Sequence, residues 1–362
     1  MTERELRAVF DAPRPLTVGL EEEVMLVDAR TFELAPVARA VLDGASGALK
    51  LELPASQAEI VTTPVDRVGE AIEQLRRGRE QLAALAAPRW RVIAAGVHPT
   101  AAPLGELNEG ERYDVILDAH GDAARVQLVC ALQIHVALGD ADATLAVYNA
   151  LRGFLPELAA LAANAPFHAG RDSGFASVRP LISTMLPRQG VPPVIPSWAE
   201  FAEMLRWTGD PKSWWYELRP HVGFGTLELR VCDTQTTLAD AAAVAAFAHA
   251  LIAWLHERAG ELGTPDSWRI AENRWRTARH GLDAELADLV SGEPRPAREL
   301  LRERLATLVP VAERIGCAGE LEGAHALIEC NGALRQRAAG LENVSAWLAD
   351  RFLDRPPRRS AP

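Results

Sequence analysis

Lysine is nearly absent from this chain. Lys50 and Lys212 are the only two among 38 basic residues, so any site that neutralises anionic groups must be built mainly from planar guanidinium groups. Basic charge is also in deficit: 49 acidic residues leave a net charge of −11. That balance argues against a dedicated nucleic-acid binder, whose phosphate contacts need a basic surface, but leaves room for a local arginine pocket around a small anion. The four cysteines, Cys130, Cys232, Cys317 and Cys330, form no CxxC pair and show no Cys/His metal spacing. Free thiols in a reducing compartment are the simplest account. The N-terminal MTERELRAVFDAPRP has no apolar h-region, and the longest apolar run, Ala241 to Leu255, is about one buried helix long. A cytoplasmic protein without a membrane segment is therefore expected. Standard chemical signatures are missing as well. There is no GxxxxGK[ST], no His-Glu-x-x-His and no GxSxG around Gly174 and Ser177, and Gly223-Phe224-Gly225 lacks the third glycine of a dinucleotide fingerprint.

What is present is an ordinary globular balance over 362 residues, 48% hydrophobic and 24% charged, enough for one large domain or two intimate ones. Strand-like segments cover Thr17–Val27, Leu51–Thr63 (broken at Pro54), Trp90–Val97 and Val126–Leu138. Helical spacing covers Val65–Ala86 and Ala141–Ala163, followed by a Gly/Pro/Arg-rich loop through Pro196. Trp214–Cys232 reads as a hairpin with a glycine turn. Thr237 and Asp240 form a capping pair, and from there to Phe352 the chain reads as helix, ending in a Pro/Arg tail. Polar residues alternate within the strands and helices gather late in the chain. An α+β fold with an antiparallel sheet, one functional face and helices on the other fits better than a doubly wound sheet.

The alternation is where chemistry enters. Side chains two apart on a strand share a face, so Glu21 pairs with Glu23, Gln57 with Glu59, Gln133 with His135, Arg219 with His221, and Glu228 with Arg230. One such pair usually marks a solvated sheet face. Five pairs, with carboxylates on several strands and arginines on the last, point instead to one polar cavity. Clustered carboxylates repel unless cations or arginines neutralise them, and oxygen-rich sites suit Mg2+ or Mn2+ while arginines suit phosphate.

Five stretches, in order between residues 17 and 285, carry a family resemblance. They are Gly19-Leu20-Glu21-Glu22-Glu23 with Val27-Asp28, Cys130 to Val136, Gly170 to Arg179, Arg219-Pro220-His221 with Gly225 to Asp233, and Glu272 to Arg276 with Gly281-Leu282-Asp283. Together they resemble the second glutamate–cysteine ligase family, a carboxylate–amine ligase group. The resemblance implies a glutamine-synthetase-like fold: a curled antiparallel sheet forming an active-site funnel, with helices packed outside. It implies ATP and Mg2+ (or Mn2+) as cofactors. Glu21, Glu23, Glu52, Glu59 and Glu228 fall on metal-ligand positions. Arg230 falls on a phosphate-contacting position, Arg219 on a substrate or phosphate contact, and His135 is a candidate catalytic group. Gln133, Arg171, Arg179, Asn273 and Arg276 fall on motif positions attributed to cofactor binding. Three residues depart from the family pattern: Gln133 replaces a histidine, while Val178 and His280 replace tyrosines.

The expected activity is ATP-dependent joining of an amino-acid carboxylate to an amine through an acyl phosphate. The rivals are a phosphotransferase of the same fold, and a metal-dependent hydrolase or degenerate nucleotide-binding protein. The expected partners are small molecules, with no nucleic acid and no membrane, and a homodimer is left open. Residues 1–362 are taken as one catalytic domain, with a sheet-forming core over 14–235, a mainly helical part over 236–353 and a tail over 354–362.

Overall fold

The computed structural model describes residues 1–45, 47–209 and 211–353; the tail expected over 354–362 lies outside them. Alternation of apolar and polar residues produces one antiparallel sheet. Its strands are β1 (Val18–Asp28), β2 (Leu49–Leu51), β3 (Gln57–Val61), β4 (Trp90–Ile93), β5 (Ala131–Ala137), β6 (Leu218–His221) and β7 (Thr226–Asp233). The order across the sheet is β2-β3-β1-β5-β7-β6, and β4 pairs with the C-terminal half of β1. This is the α+β, glutamine-synthetase-like arrangement that the resemblance implies. The break expected at Pro54 separates β2 from β3.

One face of the sheet is oily. Leu20, Val24 and Leu26 of β1, Ala58 and Ile60 of β3, Leu132, Ile134 and Val136 of β5, and Leu227 and Leu229 of β7 all enter the main core. Against that face pack α1 (Val68–Ala86) and α3 (Leu238–His256); of the other long helices, α2 (Glu111–His120), α4 (Ser267–His280) and α5 (Ala297–Ile315), α5 packs on α3 as a further layer and α4 on the helix Leu155–Ala162. The Thr237 hydroxyl caps α3 by accepting from the Asp240 amide, as the sequence predicts. This helix is long and apolar enough to cross a membrane, and 83% of its apolar window is buried inside the protein.

Glu22 interrupts the oily face, because it points away from its neighbours Glu21 and Glu23. It is fully buried and met by Arg79 of α1, whose Nε and Nη2 donate to its two oxygens at 2.8 and 2.6 Å. The remaining guanidinium donors reach the carbonyls of Gln235, Thr236 and Phe352. This one side chain therefore ties α1 to the centre of the sheet, the start of α3 and the last described turn.

Some boundaries differ from the sequence reading. The helix expected over Ala141–Ala163 is split into Ala141–Leu151, a 3-10 turn at Arg152–Phe154, and Leu155–Ala162, with Pro156 seated in a first turn where its missing N–H costs nothing. The strand expected over Val126–Leu138 starts only at Ala131. The C-terminal part is not helix throughout. A small hairpin, Glu285–Ala287 with Pro294–Pro296, interrupts it between α4 and α5, and Gly292 at φ +80° occupies its turn region.

Removing Arg79 would leave a buried, unpaired Glu22 carboxylate. Arg79→Ala should lower unfolding free energy by about 3–5 kcal/mol, measured by urea denaturation. Adding Glu22→Leu in the same chain should recover part of that loss. A single variant within about 0.5 kcal/mol of wild type would show that the pair does not tie the layers together.

Candidate active site

The face opposite the oily one carries the polar pairs, and strand register brings them into rows. Glu23 of β1 lies opposite Glu59 of β3, and Glu21 lies opposite Gln133 of β5. His135 lies between Gly19 and Glu228, and Glu228 lies opposite Arg219 of β6. Gly19 leaves the imidazole without a cross-strand side chain on that flank. A register irregularity between β5 and β7 follows the His135–Glu228 pair. It brings the Arg230 guanidinium back across the sheet to Gln133.

Three carboxylates converge. One oxygen each from Glu23, Glu52 and Glu59 lies within 4.8 Å of the others. Glu52 arrives from the chain just after β2, where the Asn108 amide donates to its backbone carbonyl at 2.8 Å. Burial pushes the Glu52 carboxyl up to about 7, and the Glu23 charge beside it adds to the rise. Glu59 is pushed well above the ordinary range by burial and by Glu52, Glu21 and Glu23, against the weaker opposing pull of Lys50. Burial also raises Glu23, although Arg230, the Ala131 amide, Arg179 and Gln133 oppose it. The Ala131 N–H and the Gln133 amide each donate to Glu23 at 2.7 Å. Three oxygen donors crowded against mutual repulsion form a set suited to a hard divalent cation.

Glu228 is held differently. Arg219 Nε donates to Oε2 at 2.5 Å, and Arg230 Nη1 donates to Oε1. Burial alone would raise this carboxyl, yet Arg230 and Arg219 together outweigh it and hold it far below the usual range. Arg230 also donates to the Gln133 carbonyl oxygen at 2.6 Å. Gln133 thus bridges Arg230 to Glu23, a relay needing one acceptor and one donor, which an amide supplies without titrating. Burial lowers His135 and keeps its imidazole neutral near pH 7; Nδ1 meets the Thr226 hydroxyl at 3.0 Å, and the buried Nε2 lies 3.9 Å from Glu21. His221 is lowered to about 4, first by burial. Its ring stacks on Phe224, beside His135.

A cleft of 160 Å³ opens beside the triad, with Glu23, Glu52, Arg112, Arg179, Trp215, Glu217 and Arg230 in its walls. Arg179 reaches it from the loop after Gly170, with its Nε and Nη2 already engaged. Nε binds Asp233 at 2.8 Å, and Nη2 binds the carbonyls of Arg230 and Val231 at 3.0 and 2.7 Å. It holds the backbone that carries Arg230. Asp233 in turn packs so closely on Gly96 that a Cβ there would lie 2.7 Å from its Cγ.

The structure thus brings Glu23, Glu52, Arg179 and Arg230 into the walls of one cleft, with Glu59 grouped with Glu23 and Glu52, and Gln133 bonded to Glu23 and Arg230. Glu21, His135, Glu228 and Arg219 occupy the adjoining part of the same face, and Glu21 and Glu228 stand outside the carboxylate triad. Arg171, Asn273 and Arg276 do not line the cleft. Arg171 is exposed on a two-residue strand that pairs with Phe167–His168 in a separate small hairpin. The Asn273 amide is spent on both backbone groups of Ala287, and Arg276 pairs with Glu272 on the surface of α4. The motif helix α4 reaches the cleft through a neighbour instead. Arg274 Nη2 lies 2.7 Å from Glu217, and both side chains are buried. Sequence reasoning missed Glu217, Trp215 and Arg112. Glu217 carried a signal, since Glu217, Arg219 and His221 alternate; Arg112 lies in a stretch with no periodicity to place it.

Comparison with known proteins accords with this geometry. The profile of glutamate–cysteine ligase family 2 matches residues 17–340. A relative from Rubrobacter xylanophilus, provisionally named glutamate–cysteine ligase 2-3, is 37% identical over 360 residues, covering 94% of this chain and 98% of its own. One from Frankia casuarinae, provisionally named glutamate–cysteine ligase 2-1, is 33% identical over 350 residues, 91% and 92% of the two chains. Among solved structures, glutamate–cysteine ligase from Francisella tularensis in complex with AMP superposes with a TM-score of 0.70 at 12% identity, over 95% of this chain and 90% of that one. The ligase PafA bound to the ubiquitin-like protein Pup gives 0.54 at 13% identity, over 95% and 74%. These last two speak for the fold alone. With its funnel of carboxylates and arginines and a profile match across nearly the whole chain, this protein belongs to glutamate–cysteine ligase family 2.

Proposed function

We propose that the protein is an ATP-dependent ligase that joins the carboxylate of an acidic amino acid to an amine, with glutamate and cysteine as the first substrates to test. The observation that carries the reading is the buried Glu23–Glu52–Glu59 triad facing Arg230 across Gln133. Phosphoryl transfer asks a protein for positioning and charge neutralisation more than for covalent chemistry. A substrate carboxylate oxygen attacks the γ-phosphorus and ADP leaves. The amine then attacks the acyl carbon, phosphate leaves, and the amine gives up its proton.

The donor set fits Mg2+ or Mn2+: three carboxylates, all oxygen, in mutual reach, with Glu52 and Glu59 held above their ordinary range until a cation or a proton relieves them. Such a cation would neutralise phosphate oxygens and align them for in-line transfer. Among the chain's own groups, Lys50 lies 3.6 Å from Glu59, and Arg230 is linked to Glu23 through Gln133 by a guanidinium already oriented by Glu228. Arg219 steadies Glu228 and so holds Arg230 in place. His135, neutral and with an Nε2 that meets no hydrogen-bond partner among the described residues, is the group best suited to take the amine proton. We infer that residues 1–353 act as one catalytic unit, because α4 from the helical part supplies Arg274 to the cleft residue Glu217. A cytoplasmic enzyme acting on small molecules fits the expected thiol state.

The direct assay is ADP release by purified protein with Mg2+ across acids and amines, and it should require both. ADP release with the acid alone at full rate, leaving a stable phosphorylated product, would favour the phosphotransferase; release with neither would favour a hydrolase. Glu23→Gln should lower ligation at least ~100-fold, and Arg230→Lys should be damaging despite its retained charge, because a bidentate contact is lost. Near-wild-type turnover in Glu23→Gln at ordinary Mg2+ would refute the triad's role.

The pH dependence of metal binding follows from Glu52. Its carboxyl stands at about 7 in the fold against an ordinary 4.5, so the folded protein holds a proton that the unfolded chain releases. That stability is complete below about pH 4.5 and is lost as pH rises through about 7. A cation replaces the proton, so Mn2+ should raise Tm clearly at about pH 8 and much less at about pH 6. Equal shifts at both values, or none, would count against cation binding at the triad.

A further inference from the structure

We infer that Gln57 binds the transferring phosphoryl group, its carboxamide kept uncommitted until a cation on the triad draws a phosphate oxygen to it. The inference rests on the ligase reading above. Gln57 lines the cleft with Glu23 and Glu52 and is 1% exposed. Its Nε2 is buried and meets no hydrogen-bond partner among the described residues. Two other buried glutamines nearby are already bonded. Gln127 Nε2 donates to the carbonyls of Ala123 and Ile182 at 3.1 and 3.4 Å, and Gln133 joins Glu23 to Arg230. A buried amide nitrogen without a partner destabilises the fold that carries it, so its presence in a cleft wall points to a ligand.

Backbone bonding fixes the residue. The Gln57 N–H donates to the Pro54 carbonyl at 3.0 Å, closing the turn that follows Glu52, and β3 then pairs Gln57 with Met25 and Glu59 with Glu23. Gln57 and Glu59 therefore share the polar face. Met25, apolar and fully buried, gives the amide no polar cross-strand neighbour. Two of the triad carboxylates are served by other donors: Glu23 by the Ala131 amide and Gln133, and Glu52 by the Leu53 amide. The terminal torsion of a glutamine is soft, so a half-turn can present its nitrogen to the cleft. Charge decides what the nitrogen can meet there. While Glu23, Glu52 and Glu59 stand without a cation, an anionic oxygen is repelled. A divalent cation among them reverses the sign, and a phosphate oxygen drawn to it gives the amide a charged acceptor.

The test uses Gln57→Met, which keeps the length of the side chain and removes its polar atoms, with Gln57→Leu as a second variant. Without ligands, Gln57→Met should melt about 2 °C above wild type, because an unpaired buried amide is gone. Mn2+ alone, titrated by calorimetry, should bind wild type and variant within about twofold of each other. With Mn2+ present, the unreactive ATP analogue carrying nitrogen between its β and γ phosphates should bind the variant roughly 10-fold more weakly, the loss expected for one hydrogen bond to a charged oxygen. ADP with Mn2+ lacks the γ group and should bind both within about twofold. A lower Tm in both variants would show the amide to be structural and overturn the inference. Unchanged affinity for the analogue, equal losses for the analogue and ADP, or weakened binding of Mn2+ alone would overturn it too, and each leaves the ligase reading intact. A wild type that binds no analogue in the presence of Mn2+ would overturn both.

Discussion

Burying several carboxylates on one face of a sheet is the constraint to which the rest of the structure answers. Water does not neutralise these groups, and in a low-dielectric cleft their repulsion is strong. The chain meets the problem in two ways. At Glu228 two guanidiniums outweigh the cost of burial and keep the carboxylate ionised. At Glu23, Glu52 and Glu59 the protein supplies too little positive charge, and Glu52 and Glu59 are left to hold protons or a cation. That difference, across a few residues of the same face, separates a fixed electrostatic scaffold from a site prepared for a ligand.

The scaffold extends outward through paired charges. Arg230 is held at its side chain by Glu228 and Gln133, and at its backbone by Arg179 and the Glu217 carbonyl. Glu217 is locked by Arg274 from α4, and Arg179 by Asp233. Residues far apart in sequence thus converge on one guanidinium. Such a network holds a charge in place before substrate arrives, which is the form of preorganisation that phosphoryl transfer uses. Behind the sheet, Glu22 and Arg79 repeat the device for purely structural ends.

Much of this was legible in the sequence because strand period is rigid. Once Glu21 and Glu23, Gln133 and His135, and Glu228 and Arg230 were placed on strands, their common face followed without coordinates. Glu52 was harder. Its odd spacing from Glu59 put it on the same face only if Pro54 broke the strand, as it does. Arg171, Asn273 and Arg276 mark the limit of motif reasoning: their segments reach the cleft, yet the side chains that line or buttress it from those segments are Arg179 and Arg274. A motif records which segment matters, while the direction of each helical side chain depends on tertiary packing. Arg112 and Trp215 could not be found at all, since no local pattern says which loop or helix will close a funnel.

In the proposed reaction, the charge gathered around Arg230 and the triad serves transfer of the γ-phosphoryl group to a substrate carboxylate. Ligation with glutamate labelled with 18O in its side-chain carboxylate tests this most directly. Attack by that carboxylate on phosphorus predicts one labelled oxygen transferred to inorganic phosphate per amide formed, with ADP unlabelled. Label found in AMP, or retained in the amide and free acid with none in phosphate, would contradict it.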